Sequence, residues 1–102
     1  MLLLIEQHRT EIESLCRKHG VKRLDLFGSA ARDDFDPAAS DVDFFVEFIS
    51  YDDPAIADHW FGLQEDLAVL LGRSVDLTSL RAAKNPYFLE VANRHRMELY
   101  AA

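Results

Sequence analysis

The sequence predicts one small α/β domain in which helices pack against a mixed three-stranded sheet, in the order αβαβαβα. Helical and strand periodicities alternate along the chain, and glycine or proline marks most of the boundaries between them. Of the 102 residues, 49% are hydrophobic, which is enough for a compact core. No repeat or linker divides the sequence, so we expect residues 1–102 to form a single domain.

The first half of the sequence predicts a helix, a strand and a loop. Residues 2–19 place apolar side chains on roughly one helical face, and Gly20 is suited to ending that helix. The segment VKRLDLF at 21–27 alternates in part and leads into Gly28, which predicts a strand. Residues 29–40, SAARDDFDPAAS, leave room for one helical turn followed by a proline-containing loop.

The middle of the sequence predicts a second strand and a long helix. The segment DVDFFVEF at 41–48 carries apolar residues at every second position. Asp53–Pro54 resembles a helix cap followed by proline at the first helical position, and Gly72 is suited to ending the helix. Apolar residues recur between them at helical spacing, which predicts a core-facing stripe. The stripe consists of Ile56, Trp60, Leu63, Leu67, Leu70 and Leu71.

The last third of the sequence predicts a third strand and a final helix. The segment RSVDLTSL at 73–80 is typical of a strand, with Asp76 on the face opposite its apolar residues. Asn85–Pro86 repeats the cap-and-proline pattern and predicts a helix that ends near Met97. If the pattern continues a little further, Leu89, Ala92, Arg96 and Leu99 fall near one helical face.

The final helix is also a candidate interface. A small sheet covers only one face of a helix, and the remaining residues include aromatic side chains with Arg94 and Arg96, types enriched at protein interfaces. One interpretation is that these residues only cap the core. The alternative hypothesis is that they contact a macromolecular partner, and that replacing both arginines with glutamate weakens the complex without lowering thermal stability.

Composition and charge exclude several classes of function. A net charge of −7 argues against general affinity for nucleic acid, which requires lysine and arginine. No apolar stretch is long enough to cross a membrane and no basic segment precedes the apolar residues after Met1, so we expect a cytoplasmic location. The single cysteine, Cys16, allows no internal disulfide and fits the core. The histidines lack metal-ligand spacing and are interpreted as ordinary residues: His8, His19, His59 and His95.

Three carboxylates form a candidate metal site. Asp41 and Asp43 are two residues apart in a predicted strand, so both point to the same side, where their charges repel. A divalent cation reverses that repulsion, and hard oxygen ligands suit Mg²⁺. If the second and third strands are neighbours, Asp76 joins the pair, and three carboxylates suit two Mg²⁺ ions about 3.5–4 Å apart. Asp41 and Asp43 alone would also be explained as solubilising a strand end.

A candidate phosphate site precedes these acids in the sequence. Gly28 lets a backbone approach a phosphate closely, Ser29 offers a hydroxyl, and a helical turn after it would present free N–H groups. Arg32 either reaches the phosphate or pairs with Asp33 or Asp34 in solvent. The chain contains no Gly-Lys-Ser/Thr motif and hence no Walker A loop. A Gly-Ser pair followed by two strands that carry acids is a much more specific signal for a phosphate site beside a metal site than Gly-Ser alone.

Together, DLFGSAARDDFDPAASDVDFFVEF at 25–48 and GRSVDLTSL at 72–80 resemble the minimal nucleotidyltransferases, the MNT branch of the DNA polymerase β-like superfamily. The resemblance covers roughly residues 8–100 and implies a nucleotidyltransferase fold. One departure is visible, because eleven residues separate Ser29 from Asp41 where the family commonly has ten. The extra residue falls in the proline-containing loop, so it affects the path of the loop and not the set of ligands.

The resemblance also implies the roles of individual residues. Gly28 and Ser29 correspond to the triphosphate-binding pair, with Arg32 as a local candidate for phosphate contact. The metal-binding pair of the family corresponds to Asp41 and Asp43. The third acid of the family corresponds to Asp76, which completes the catalytic set and the ligands for two Mg²⁺ ions.

The resemblance implies transfer of AMP from ATP to a hydroxyl, and the sequence leaves the acceptor open. No second domain remains to hold a small acceptor, so we expect one on a macromolecule. Stand-alone members resemble antitoxins that adenylylate a tyrosine of a HEPN-domain ribonuclease toxin and silence it. The alternatives are a non-catalytic module that neutralises or scaffolds a partner, and an enzyme that modifies a small molecule such as an antibiotic. A neighbouring HEPN-type gene with an Arg-x₄-His motif would favour the antitoxin interpretation.

Overall fold

The computed structural model describes residues 2–28, 41–80, 85–86, 89–90 and 96–102. These residues form a mixed α/β structure, as the sequence predicts, with four strands in place of three. No helix in these ranges is long and apolar enough to cross a membrane. The helices are α1 (Leu2–Gln7), α2 (Arg9–Lys18) and α3 (Ile56–Leu71). The strands are β1 (Val21–Phe27), β2 (Val42–Phe48), β3 (Val75–Ser79) and β4 (Met97–Ala101).

The four strands form one sheet in the order β3-β2-β1-β4. Strand β1 is antiparallel to both of its neighbours, β2 and β4, whereas β2 and β3 are parallel. Helix α3 connects the two parallel strands, as a parallel pair requires a crossover. The strands predicted around 21–27, 41–48 and 73–80 are therefore confirmed, and β2 lies inside the sheet.

The C-terminal segment differs from the sequence prediction. Helical backbone does begin after Asn85, whose carbonyl accepts a hydrogen bond from the Leu89 N–H at 3.0 Å. The prediction that the helical pattern continues to Leu99 is wrong, because residues 97–101 form strand β4 and pair with β1. Met, Glu, Leu and Ala all favour helices locally. Pairing with the open edge of β1 and burial of Leu99, which is 2% exposed, outweigh that preference.

Two helix boundaries also differ from the predicted ones. The helix predicted over 2–19 is interrupted at His8, where α1 ends and α2 begins one residue later. Helix α3 begins at Ile56, two residues after the expected position at Pro54, because the Asp53 carboxylate accepts a hydrogen bond from the Ala55 N–H at 2.8 Å and forms a turn. The predicted end at Gly72 is confirmed, since this residue adopts a left-handed conformation with φ of 66°.

The helices cover one face of the sheet and form the main core with it. The alternating apolar residues of β2 point into this core, as predicted, and so do Leu63, Leu67 and Leu71 of the α3 stripe. Cys16 is fully buried there, and burial raises the pKa of its thiol to about 12, as expected of an inert core cysteine. The β2 residues in the core are Val42, Phe44, Val46 and Phe48.

The opposite face of the sheet carries a second, smaller apolar cluster and a buried ion pair. The Phe27 and Phe45 rings stack with centroids 4.1 Å apart. Asp25 of β1 is fully buried beside them. Its Oδ1 accepts a hydrogen bond from the Arg23 Nε at 3.1 Å, and its Oδ2 accepts one from the Arg96 Nε. The Arg96 guanidinium also lies 5.0 Å above the centroid of the Phe45 ring.

This ion pair corrects the expectation that Arg96 forms part of a free interface. The Arg96 side chain is 17% exposed and holds the carboxylate of Asp25. Its replacement with glutamate would therefore lower thermal stability, contrary to the sequence-based hypothesis. Arg94 and Ala92, the other residues of that hypothesis, lie outside the described residues.

We predict that Arg96→Gln lowers the free energy of unfolding by about 3 kcal/mol, because it removes one of the two cations that compensate the buried Asp25 carboxylate. Chemical denaturation of both proteins measures the difference. Arg17→Gln is a matched control, since the Arg17 guanidinium lies on the exposed surface beside Ser14, and it should change stability by less than about 0.5 kcal/mol. Equal effects of the two substitutions would contradict a stabilising role for the ion pair.

Candidate active site

The sheet brings the three predicted acids together at one end of β2. Asp43 lies opposite Phe27 in the β1–β2 register and opposite Asp76 in the β2–β3 register. Asp41 immediately precedes β2 and is exposed. The expectation that the second and third strands are neighbours is thus confirmed. Asp43 and Asp76 lie on the face of the sheet that the main core does not use, because side chains alternate along each strand.

The carboxylates repel one another where they meet. Burial raises the pKa of Asp43 above its ordinary value, and the charges of Asp76 and Asp41 raise it further. Partial desolvation also raises the pKa of Asp76, followed by the charge of Asp41 and a hydrogen bond with it. None of the causes acting on these two acids lowers the pKa. The site is therefore unfavourable when all three groups are ionised, and a cation would relieve it.

Gly28 is required at this site by the position of Asp43. Its backbone has φ of +73°, a conformation that L side chains rarely adopt. A Cβ atom at this residue would lie 2.6 Å from the Oδ2 of Asp43. The sequence suggested that Gly28 admits a phosphate. The structure adds that Gly28 admits the Asp43 carboxylate, so one residue shapes the end of β1 and the position of the central acid.

The donor set fits Mg²⁺. Carboxylate oxygens are hard ligands, and Mg²⁺ is usually bound through one or two carboxylates with water and substrate phosphate completing the shell. No three carboxylate, imidazole or thiol groups of the described residues form a complete metal site on their own. Asp41, Asp43 and Asp76 are the residues that would hold the ion.

The phosphate half of the site is described only at Gly28. Ser29 and Arg32 lie outside the described residues, so their contacts with phosphate remain predictions. The sequence analysis missed the neighbouring pair of Asp25 and Arg96, which supports Phe45 on the same face of the sheet as Asp43. The only signal for it in the sequence was the acid Asp25 between two leucines of the predicted strand VKRLDLF.

We predict that Gly28→Ala destabilises the protein more than Gly72→Ala does. Both residues have a positive φ, but an added Cβ meets no atom within 4 Å at Gly72 and meets the Asp43 carboxylate at Gly28. The backbone strain, about 1–2 kcal/mol, is common to both substitutions. Chemical denaturation should give a larger loss for Gly28→Ala. In an Asp43→Ala background the two losses should become similar, and a difference that persists there would contradict the contact.

We predict that Asp43→Asn stabilises the protein at neutral pH in metal-free buffer. The folded protein holds the Asp43 proton more tightly than the unfolded chain, so its free energy of unfolding falls as the pH rises from 3.8 through the raised pKa. At pH values above the raised pKa, the repulsion between Asp43 and the neighbouring acids persists in the unsubstituted protein and is absent from Asp43→Asn. Thermal unfolding across this pH range measures the difference, which should vanish below pH 3.8.

The control for this experiment is Asp52→Asn, because Asp52 is an exposed acid outside the site. Mg²⁺ should raise the melting temperature of the unsubstituted protein and of Asp52→Asn more than that of Asp43→Asn, because only the first two keep both Asp41 and Asp43. An equal effect of Mg²⁺ on all three proteins would place the cation elsewhere.

Comparison with known proteins assigns this arrangement to a family. The family model described as the nucleotidyltransferase domain matches residues 8–100. The chain is 40% identical over 86 residues to a Methanocaldococcus jannaschii protein that is provisionally named protein adenylyltransferase MJ0128. That match covers 76% of this chain and 84% of the relative.

Two solved structures share the fold. One, described provisionally as a minimal nucleotidyltransferase, has a TM-score of 0.71 at 31% identity, with 91% of this chain and 90% of that chain covered. The other is a tri-AMPylated Shewanella oneidensis HEPN toxin in complex with its MNT antitoxin, with a TM-score of 0.64 at 22% identity. It covers 95% of this chain and 72% of the matched chain, and at that identity it shows the fold alone. The chain belongs to the nucleotidyltransferase domain family.

Proposed function

We propose that this nucleotidyltransferase transfers AMP from ATP to a hydroxyl group of a partner protein, and that the partner is a HEPN-domain toxin. The observation that carries the proposal is the meeting of Asp43 with Gly28 on one side and Asp76 on the other, in a chain of this family. This arrangement combines an acidic site for a metal–nucleotide complex with a glycine turn at the end of a strand. We propose Asp41, Asp43, Asp76, Gly28 and Ser29 as the active-site residues.

The acids have two roles in this proposal. Asp41 and Asp43 hold the metal–nucleotide complex, and Asp76 shares in metal binding and accepts the proton of the acceptor hydroxyl. Bound Mg²⁺ would neutralise phosphate charge and lower the pKa of that hydroxyl. The raised pKa of Asp76 suits it to taking up a proton. Its parallel register puts Asp76 directly beside Asp43, which supports a shared role of the two groups at one substrate.

The reaction is an in-line displacement at the α-phosphorus of ATP. The acceptor oxygen forms a bond to phosphorus while the bond to the bridging oxygen breaks, and pyrophosphate leaves. The hydroxyl proton passes to Asp76. We place the β and γ phosphates against Gly28 and Ser29, with Arg32 as a further phosphate contact. Catalysis then rests mainly on orientation of the reacting groups and on compensation of their charge.

A protein acceptor is supported by the relatives. The M. jannaschii protein bears the provisional name of a protein adenylyltransferase, and its alignment with this chain is 40% identical. The S. oneidensis complex contains an AMPylated HEPN toxin bound to an MNT antitoxin with the same fold. From the family resemblance we further infer that tyrosine is the acceptor and that the modification neutralises the toxin. The matched antitoxin is longer than this chain, which aligns with 72% of it.

A non-catalytic binding module is the second candidate, and the electrostatics of the site argue against it. Binding to a partner does not by itself require Asp43 and Asp76 to lie where burial and neighbouring carboxylates raise their pKa values. Transfer to a small molecule such as an antibiotic is the third candidate. The described residues provide no acceptor domain beside the sheet, so this alternative would need the small molecule to bind directly at the acids.

The decisive experiment incubates the protein with α-labelled ATP, Mg²⁺ and the product of a neighbouring HEPN-type gene. We expect label on a tyrosine of the partner, identified by mass spectrometry, and loss of its ribonuclease activity. EDTA should abolish transfer. Asp43→Asn should reduce its rate about 100-fold or more, the loss typical when a major electrostatic contact to the reacting group is removed.

The matched control is Asp52→Asn, which should transfer AMP at the normal rate. Neutralisation of the partner without label would favour the binding module. Labelling of an aminoglycoside in place of the partner would favour a small-molecule enzyme. Transfer that survives both EDTA and Asp43→Asn would contradict the proposed site.

A further inference from the structure

An open apolar groove lies on the helical side of the sheet, beside the first two turns of α3. Its volume is about 400 Å³, and the segment after β2 and the end of β3 complete its walls. Most of the lining is apolar, and three of the lining side chains are aromatic. This Trp60 groove is lined by Tyr51, Ile56, Ala57, Trp60, Phe61 and Ser79.

The core uses the aromatic side chains of the groove only in part. Trp60 belongs to the stripe that the sequence predicts to face the core, and its ring does lie 6.1 Å from the ring of Phe48 between centroids. Trp60 nevertheless remains partly accessible, and Phe61 beside it is 65% exposed. Tryptophan, tyrosine and phenylalanine are enriched at protein interfaces. Their cluster in an open apolar groove therefore indicates a contact surface.

Acidic side chains surround the groove. Exposed Asp58 and Glu65 lie three residues before and four residues after Phe61 on α3, so they share its side of the helix. Asp52, also exposed, is next in the chain to a lining residue. Within the described ranges, none of these three acids forms an ion pair with a lysine or arginine. Residues 49–72 contain five acids and no lysine or arginine, so the rim of the groove is negative.

An apolar centre with an acidic rim selects one kind of occupant. A second copy of this chain, docked through the same surface, would bring two acidic rims together. A membrane surface is itself negative and would be repelled. A polypeptide segment that carries apolar side chains beside lysine or arginine complements both the groove and its rim. Asp58 also suits the first turn of a helix, but Glu65 in the middle of α3 has no such role.

We propose that the Trp60 groove docks a basic, apolar segment of the partner protein that carries the acceptor hydroxyl. For the identity of that partner, the inference rests on the proposed function. Apolar side chains of the segment would pack against Trp60 and Phe61, and its lysine or arginine side chains would face Asp58 and Glu65.

A segment docked in the groove would leave the candidate active site accessible. Ser79, which lines the groove, is three residues along β3 from Asp76. This spacing puts the two side chains on opposite faces of the sheet and about 10 Å apart along the strand. The groove would therefore hold the partner while the acids act on a different part of it.

The test measures complex formation without nucleotide, so that binding is separated from transfer. The product of the neighbouring HEPN-type gene is titrated calorimetrically into this protein. Phe61→Ser should weaken the complex at least about tenfold, as truncation of a central aromatic contact does. Replacing both Asp58 and Glu65 with lysine should also weaken it, and higher ionic strength should weaken the unsubstituted complex.

The matched controls lie outside the groove. Val69→Ser removes another apolar side chain of α3 that is 78% exposed and does not line the groove. Glu11→Lys reverses the charge of an exposed acid on α2. Both variants should bind the partner normally. An affinity that Phe61→Ser leaves unchanged would overturn the docking surface and leave the proposed transfer intact.

A fluorine label gives a direct measure of occupancy. Trp60 is the only tryptophan of the chain, so 5-fluorotryptophan incorporated into this protein reports on the groove alone. Its ¹⁹F signal should shift when the unlabelled partner is added, and the shift should persist in Asp43→Asn. This measurement decides the question if Phe61→Ser folds poorly. A complex that forms without moving the Trp60 signal would overturn the proposal.

Transfer kinetics distinguish failure of the docking surface from failure of the proposed function. Phe61→Ser should raise the KM for the partner and leave kcat nearly unchanged, because the acids keep their positions. Asp43→Asn should lose kcat and still form the complex. A complex that depends on the groove but shows no transfer would contradict the proposed function alone. The absence of any complex between the two unsubstituted proteins would overturn both.

Discussion

Strand β2 pairs with β1 along one edge and with β3 along the other, and the candidate active site depends on both pairings. Side chains alternate along the strand, so the register that directs Phe44 into the main core directs Asp43 to the opposite face. A slip of one residue would exchange the two and bury a carboxylate against the helices. The apolar pattern of β2 thus fixes the position of the central acid as firmly as it fixes the core.

The face of the sheet that carries the acids contains two opposite electrostatic arrangements. At one position, buried Asp25 is compensated by Arg23 and by Arg96, and the Arg96 guanidinium also contacts the Phe45 ring. At the other, the acids around Asp43 lack a comparable cation among the groups that shift its pKa. The first arrangement stabilises the fold, whereas the second stores repulsion that a metal–nucleotide complex would relieve. The two arrangements are close together, because Asp43 lies opposite Phe27, two residues along β1 from Asp25.

Most of the site was predictable because its residues follow strand periodicity. Alternation placed Asp43 and Asp76 on one face, and the strand–helix–strand order made their strands neighbours. The contacts that depend on distant segments were not predictable in this way. Local helix preference concealed strand β4 and the bond that Arg96, just before this strand, makes to Asp25. The rings of His19 and His59, whose Nδ1 atoms lie 3.4 Å apart, come from positions 40 residues apart in the sequence. The family resemblance supplied what periodicity could not, namely the roles proposed for the acids.

The bond between Asp25 and Arg96 joins segments separated by 71 residues, and this separation bears on the path of folding. Closing so long a loop costs chain entropy before any contact is gained, so we expect β4 to dock after β1 and β2 have paired. Until then the Asp25 carboxylate must stay hydrated, and the outer edge of β1 stays open. An open strand edge is a template for pairing between molecules. The docking rate of the last strand therefore sets how long a refolding chain is exposed to aggregation.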